Sequence, residues 1–407
     1  MKKHERIILL LLAAVNFTHI LDFMIMMPLG NYLMPYFDIS TMQFSFLVSA
    51  YTFSAAASGF SAAFFVDQFD RKKVLLFGYC GFLIGTLACG IAPSFGLLLT
   101  ARIVAGLFGG LIGAQVLSIV SDIFPYNVRG KAMGTVMSAF AIASTFGVPF
   151  SLYLANIISW HAPFILVGIL GFILVPLLIK FIPKMDGHLF NRAAKESPFE
   201  ALHVITKERK LMLALLFSGL IMMGHFLIIP FINPYMEFNN GYSKQETPLI
   251  YLAGGIAAFI SANVLGSVSD RVGKYKIFNS CIFFSLPLVI IITNLPAVPI
   301  FLLLTLFAIW FALATGRGVT AQAMLSNVVE SRHRGSFMSF NSSIQQFGSG
   351  LAALLAGYIV DKDVNGRILH YPWLGYGSVL ILVVCLVLGR YLFKGSDIAV
   401  QKMVAVS

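Results

Sequence analysis

Charge is scarce in this 407-residue sequence: Asp, Glu, Lys and Arg together make up 11% of it, against roughly 25% in an ordinary soluble domain. With 58% hydrophobic residues and a mean hydropathy of +0.87, that shortage excludes a soluble globular protein. Cysteine is also sparse. Cys80, Cys89, Cys281 and Cys385 all fall inside apolar runs, with no loop pair and no metal-like spacing, so neither a disulfide scaffold nor a thiolate metal centre is indicated. The sequence further lacks a nucleophile elbow, a phosphate loop and a helix-borne metal set, which speaks against an enzyme.

What the chain does have is a series of apolar runs of about 20 residues, each long enough to cross a roughly 30 Å hydrocarbon core as a helix. Strands of a membrane barrel would alternate instead. The first run follows MKKHER but is too long for a secretory signal and lacks a small-residue cleavage site, so it is read as a retained span. The net charge of +11 would suit nucleic acid if the cations clustered. Instead 23 of the 28 Lys and Arg residues fall in alternate loops and the two tails. This is the positive-inside pattern; it implies a multi-pass membrane protein with both termini cytoplasmic, in contact with lipid and not with nucleic acid.

The runs place spans near 7–34, 43–66, 74–93, 95–123, 131–157 and 162–183, then near 210–236, 247–269, 275–295, 297–327, 335–360 and 373–394. Residues 184–209 form the polar stretch between the two sets and read as a cytoplasmic linker carrying a short surface helix at 198–205. The expected domains are therefore 1–183, 184–209 and 210–407. The two sets repeat. His19 matches His225 and Pro28 matches Pro234 at an offset of 206; Asp67 matches Asp270 at 203; Arg129, Gly130 and Met133 match Arg334, Gly335 and Met338 at 205. An even number of spans per set gives both the same orientation, so the expected fold is all-α, with twelve transmembrane helices in two parallel six-helix repeats around a central cleft.

Within the first span, Asp22 and His19 are the two side chains able to carry charge, and Asn16 lies one helical turn earlier on the same face. An acid near the bilayer centre costs at least about 2.5 to 3.5 kcal/mol on insertion scales, which demands a role. Asp22 lies about 22 Å from the inner start of its span and Arg102 on span 4 about 20 Å from the inner face, at 1.5 Å per residue. A membrane arginine needs a counter-ion, and Asp22 is the carboxylate at that level. A static pair that orders the fold and a pair remade by protonation both fit this placement.

Several motifs carry a family likeness. GSVSDRVGK, with Gly266, Asp270, Arg271 and Gly273, lies between the second and third spans of its half, and AFFVDQFDRK, with Asp67 and Arg71, is a degenerate copy that has Ala63, Gln68 and Asp70 at positions of divergence. At this pair the chain resembles the major facilitator superfamily. The resemblance implies that these loops latch conformations, with the glycine admitting a close neighbour, the aspartate capping a helix and the cations holding the cytoplasmic face. RIVAGLFGG, beginning at Arg102, is similar to the family's fourth-helix pattern, and ASTFGVPFS, with Gly147 and Pro149, resembles the fifth-helix motif of its exporting members. Together with LDFMIMMPL of span 1 these look most like the twelve-helix bacterial drug:proton antiporters and sugar efflux permeases.

In span 7, Pro230, Asn233 and Pro234 predict a break whose freed carbonyls can line a cavity. Ile228 stands where the repeat would place an acid, so the halves differ in charge. Candidate cleft residues are Asn16, Met26, Tyr51, Gln115, His225, Asn233, Asn341 and Gln345; each polar one could equally be interhelical glue. Arg317 sits far enough toward the inner end of span 10 to reach the interface, and Trp160 and Trp373 read as belt anchors. The resemblance implies a secondary active transporter that exports a small organic molecule by rocker-switch alternating access, with protons as the coupled partner and no cofactor. A monomer is expected. Asp22 would exchange the proton, Arg102 would pair with it and His19 would tune or relay it; burial opposes the carboxylate charge and arginine favours it, so protonation can follow cleft hydration. An uncoupled or inward-directed metabolite or lipid facilitator is the alternative, and a membrane-embedded enzyme a more distant one.

Overall fold

The computed structural model describes residues 3–124, 126–186, 198–329 and 334–394. Nearly all of them are helical. The chain runs through α1 (Lys3–Ile25), α2 (Gly30–Phe37), α3 (Thr41–Phe65), α4 (Arg71–Gly90), α5 (Phe95–Ile123), α6 (Tyr126–Ile142), a π turn (Ala143–Gly147), α7 (Val148–Ile157) and α8 (Ala162–Phe181). After α9 (Pro198–Lys207) the order recurs as α10 (Arg209–Phe226), α11 (Ile232–Phe238), α12 (Thr247–Val272), α13 (Lys274–Thr293), α14 (Ile300–Leu325), α15 (Arg334–Ile359) and α16 (Tyr371–Phe393). A two-stranded hairpin, Asp361–Lys362 against Ile368–Leu369, joins α15 to α16.

Ten helical segments among the described residues are long and apolar enough to cross a membrane. Helices α3 and α15, read above as spans 2 and 11, are as long and carry more Ser, Gln and Gly than most of the others. These two helices pack on each other across the halves. Phe60 and Phe64 meet Phe340 at one end, Phe53 meets Phe347 midway, and Thr41 Oγ1 donates to the Val360 carbonyl (2.9 Å) at the other. Gly350 lies against Thr52 and Gly357 against Ser45, so small residues let the backbones approach, as is usual where apolar surface alone gives no preference for helix over lipid.

Three expectations need correction. Span 1 is not one continuous helix: α1 ends at Ile25 and α2 begins at Gly30, with Pro28 between them. Pro28 lacks an N–H and cannot continue the ladder. The break read in span 7 is present too, with a 3₁₀ turn at Ile229–Phe231 between α10 and α11, so both repeats are interrupted at matched positions. Trp160 is not a belt anchor; it is 4% exposed and packs against Tyr36, Phe37 and His161, whereas Trp373 is 62% exposed. In the linker the helix extends to Lys207 and buries Ile205 beside Leu211, so it docks on the helical body.

Candidate functional site

The apolar run around Asp22 folds as helix because nothing in 3–25 breaks the ladder, and the helix places Asp22 on the side facing α5. Arg102 Nη1 donates to Asp22 Oδ2 at 2.9 Å, with side-chain exposures of 1% and 0%. Tyr51 of α3 lies flat beside the pair, its ring centroid 4.3 Å from the guanidinium carbon. Thr86 of α4 sits by the carboxyl, yet neither its Oγ1 nor Asp22 Oδ1 has a hydrogen-bond partner of normal geometry. One carboxylate oxygen thus lies in a buried environment with no hydrogen bond of normal geometry. That is an arrangement in which gain or loss of a proton changes the local energy strongly.

His19 lies one turn from Asp22 and packs edge-on to Phe82 (5.5 Å) and near Tyr51 (6.5 Å); both its ring nitrogens and the Tyr51 hydroxyl are buried and unpartnered. Gly109 of α5 makes room for them, since a Cβ there would stand 2.7 Å from Tyr51 Oη and 3.1 Å from His19 Nε2. His19, Asp22, Tyr51 and Arg102 therefore form one cluster. Gly147 belongs beside it: the π turn that it closes packs on Leu21, where a Cβ would come within 2.7 Å, and Pro149 opens α7 directly after.

The other candidates are dispersed. Asn16 Nδ2 donates to the Val136 carbonyl (3.1 Å), tying α1 to α6. Gln345 Nε2 donates to Ser218 Oγ (2.9 Å), tying α15 to α10. Gln115 and Asn341 are 2% and 1% exposed, each with an unpartnered carbonyl oxygen, and Met26 is buried in the core shared by both halves. Asn233 Nδ2 donates to the Pro28 carbonyl (3.0 Å), so the polar groups released by one helix break are bound by the other. Alongside, Asn31 Nδ2 donates to Glu237 Oε2 (2.6 Å) and Thr247 Oγ1 to Glu237 Oε1 (2.8 Å). Asn31 and Glu237 are 206 apart, the repeat offset of the prolines. They clasp the halves at the end distal to the chain termini.

Arg317 overturns the expectation that it reaches the interface. It is 1% exposed and turned into the second half, where Nη1 donates to Ser285 Oγ (3.2 Å) and Nη2 lies 3.4 Å from His225 Nδ1.

At the opposite end, Asp70, a departure from the family pattern, is the N-cap of α4: its carboxylate accepts from Lys72 N (2.8 Å), Lys73 N (3.4 Å) and Met185 N (3.3 Å). Arg71 pairs with Asp122 at the end of α5 (2.8 Å), a partner the sequence motif did not name. The side chain of Asp67 lies outside the described residues. In the second loop Asp270 pairs with Lys274 one turn on (2.6 Å) and Arg271 is exposed. Gly273 adopts φ 117°, a conformation that favours glycine, but Gly266 admits no close neighbour, since a Cβ there would meet Val319 at an ordinary 3.9 Å. Replacing Asp70 with Ala is expected to cost about 1 kcal/mol through the lost cap, read as a lower denaturation midpoint.

The Major Facilitator Superfamily model matches residues 12–316 and 216–401. An uncharacterized MFS-type transporter of Bacillus subtilis (strain 168), YceJ, is 25% identical over 345 residues, covering 83% of this chain and 85% of its own. A probable sugar efflux transporter of Helicobacter pylori is 22% identical over 230 residues, 56% of this chain and 57% of that one. Among solved structures, a bacterial homolog of the human lysosomal transporter Spinster, inward-facing and unoccupied, superposes with a TM-score of 0.71 at 17% identity over 99% of this chain and 98% of that one. A variant of the nucleoside transporter NupG gives 0.75 at 12% identity over 95% and 100%. A family match running almost end to end, on a fold whose halves repeat helix for helix, makes this chain a multi-pass membrane transporter of the major facilitator superfamily.

Proposed function

We propose that the protein is a secondary active exporter that couples proton entry to the outward movement of a small organic molecule, in the inner membrane and with both termini in the cytoplasm. The observation that carries this reading is the Asp22–Arg102 pair, sealed from solvent and with Asp22 Oδ1 lacking a hydrogen bond of normal geometry. In this reading the distal end, where Asn31 meets Glu237 and Asn233 meets Pro28, faces the outside and is shut. When the halves rock and that end opens, water reaches the cluster and Asp22 takes a proton. Protonation removes the charge that holds Arg102, Arg102 is left against the Tyr51 ring that already lies beside it, and the pair is remade when the proton leaves inward. Only an event that binds the two conformations differently can shift them, and charge on Asp22 is such an event. The proton gradient is the energy source, lipids surround the helices, the working unit is a monomer and no cofactor takes part.

The test is substrate-driven proton movement in proteoliposomes. Asp22→Asn keeps the shape but cannot exchange a proton, so coupled proton movement is expected to fall to the background while downhill substrate exchange persists. Coupling equal to that of the unmodified protein removes the proposal, and accumulation that survives dissipation of the gradient points to an uncoupled facilitator.

A further inference from the structure

The two halves differ at their buried arginines. Arg102 has Asp22 as its counter-ion at 2.9 Å. Arg317 is equally buried, and among the described residues it forms no ion pair; its polar contacts are the Ser285 hydroxyl and His225 Nδ1. Ser285 in turn donates to the Cys281 carbonyl (2.7 Å), so its hydrogen is already committed. A guanidinium only donates, which makes Nδ1 of His225 the acceptor and puts the ring proton on Nε2. The acid is missing at sequence level as well, because position 228, which aligns with Asp22 at the offset of 206, is Ile.

A second observation points the same way. Trp310 stacks at a tilt on His225, ring centroids 4.9 Å apart, and its Nε1 donor is buried without a partner. Phe311 links Trp310 (5.0 Å) to Tyr251 of α12 (6.3 Å), whose hydroxyl is likewise buried and unpartnered. The cluster thus gathers a cation and two spare donors; the carboxylate nearest to Tyr251, that of Glu237, already accepts from Asn31 and Thr247 and pairs with neither donor. Buried charge without a partner is costly, and buried donors are ordinarily satisfied. The site also borders the other half. Phe226, next to His225, packs on Phe23 of α1 at 5.7 Å, one residue from Asp22.

We infer that the second half binds an organic anion, a carboxylate on an aromatic or otherwise apolar body, with Arg317 as counter-ion, Trp310 and Tyr251 as further donors and the neighbouring rings as the apolar wall. This rests on the export reading above and assigns its substrate class. The ligand carboxylate plays for Arg317 the part that Asp22 plays for Arg102. Charge accounting then follows: one proton entering and one monoanion leaving move two positive charge equivalents inward per cycle. Transport is therefore electrogenic, and an inside-negative potential drives it together with the proton gradient.

Trp310 is one of three tryptophans, so with Trp160 and Trp373 replaced by Phe its fluorescence reports the cluster directly. Purified protein of this kind, in nanodiscs, is titrated with benzoate and acetate and with their neutral analogues benzamide and acetamide. The expected result is a saturable change with benzoate, weaker with acetate and absent with either amide, together with a rise in thermal midpoint. Arg317→Gln and Arg317→Lys should each weaken benzoate binding at least tenfold; the lysine variant keeps the charge and guards against a misfolded glutamine variant. Equal responses to benzoate and benzamide, no response to either acid, or benzoate binding unchanged in both variants overturns the inference. Equilibrium binding does not need Asp22 to exchange protons. Benzoate binding that persists while Asp22→Asn retains full coupling overturns the export mechanism alone, whereas absent binding with Asp22-dependent coupling intact overturns the anion site alone.

Discussion

Arg102→Met is expected to lower the unfolding free energy by about 3–5 kcal/mol, the usual consequence of leaving one member of a buried pair without its partner. Asp22 is fully buried, and Arg102 is the cation bonded to it. Methionine fills much of the same volume, so the loss reports the stranded carboxylate more than a cavity. The loss should shrink in acid, where a protonated Asp22 no longer needs a cation. Adding Asp22→Asn to Arg102→Met removes the stranded charge, and most of the lost stability is expected to return, as seen by denaturant unfolding in micelles. Coupled proton movement should return in neither variant. A pair that merely ordered the fold would behave differently: transport would recover in the double variant together with stability. The double variant thus separates a structural pair from one that is made and broken in each cycle, which the single substitutions do not.

The legible parts of this molecule were those in which one residue violates its surroundings. An aspartate in a hydrocarbon run is visible without any structure, and counting rise per residue along two helices put Arg102 at its level; in the folded chain the side chains touch. Depth along a helix is a one-dimensional quantity and sequence records it well. Rotation about the helix is recorded poorly when a helix is apolar all round, as at Arg317: its height along span 10 suggests the interface, but its phase turns it toward Ser285 and His225. Trp160 is the same case: its height suggests the membrane belt, but its phase turns it onto Tyr36 and Phe37. The break at Pro28 went unread because hydropathy runs through it undisturbed, although its repeat partner Pro234 marked the matching break in the second half. Asn31 and Glu237 lie on that same offset of 206, so the clasp between the halves was present as a pattern but not as a contact. Arg71 and Asp122 are joined only because α4 and α5 pack as a pair, which no local spacing encodes.

The clasp leads to the second large effect, at Gly255. This residue of α12 meets the π turn of the first half, where an added Cβ would stand 2.8 Å from Thr145 N and nearer still to Thr145 Cα. Backbone atoms cannot rotate aside as a side-chain end can, so Gly255→Leu must separate α12 from the π turn. Overpacking of this kind costs about 1–3 kcal/mol. In the alternating-access reading proposed above the cost falls on one conformation only, because that reading has the two halves joined by this contact part when the distal end opens. A differential of that size shifts a two-state population by about 5- to 150-fold. Ser45, packed without exposure against Gly357 in the α3–α15 seam, provides the readout. In a cysteine-free background, Ser45→Cys should react with a membrane-impermeant maleimide from the distal side at least about fivefold faster when Gly255→Leu is present. Gly96→Leu is the control, since a Cβ there meets nothing within 4 Å. Equal labelling rates with and without Gly255→Leu in a folded protein would mean that the π turn and α12 do not part during opening, and that the halves rock about this contact instead of across it.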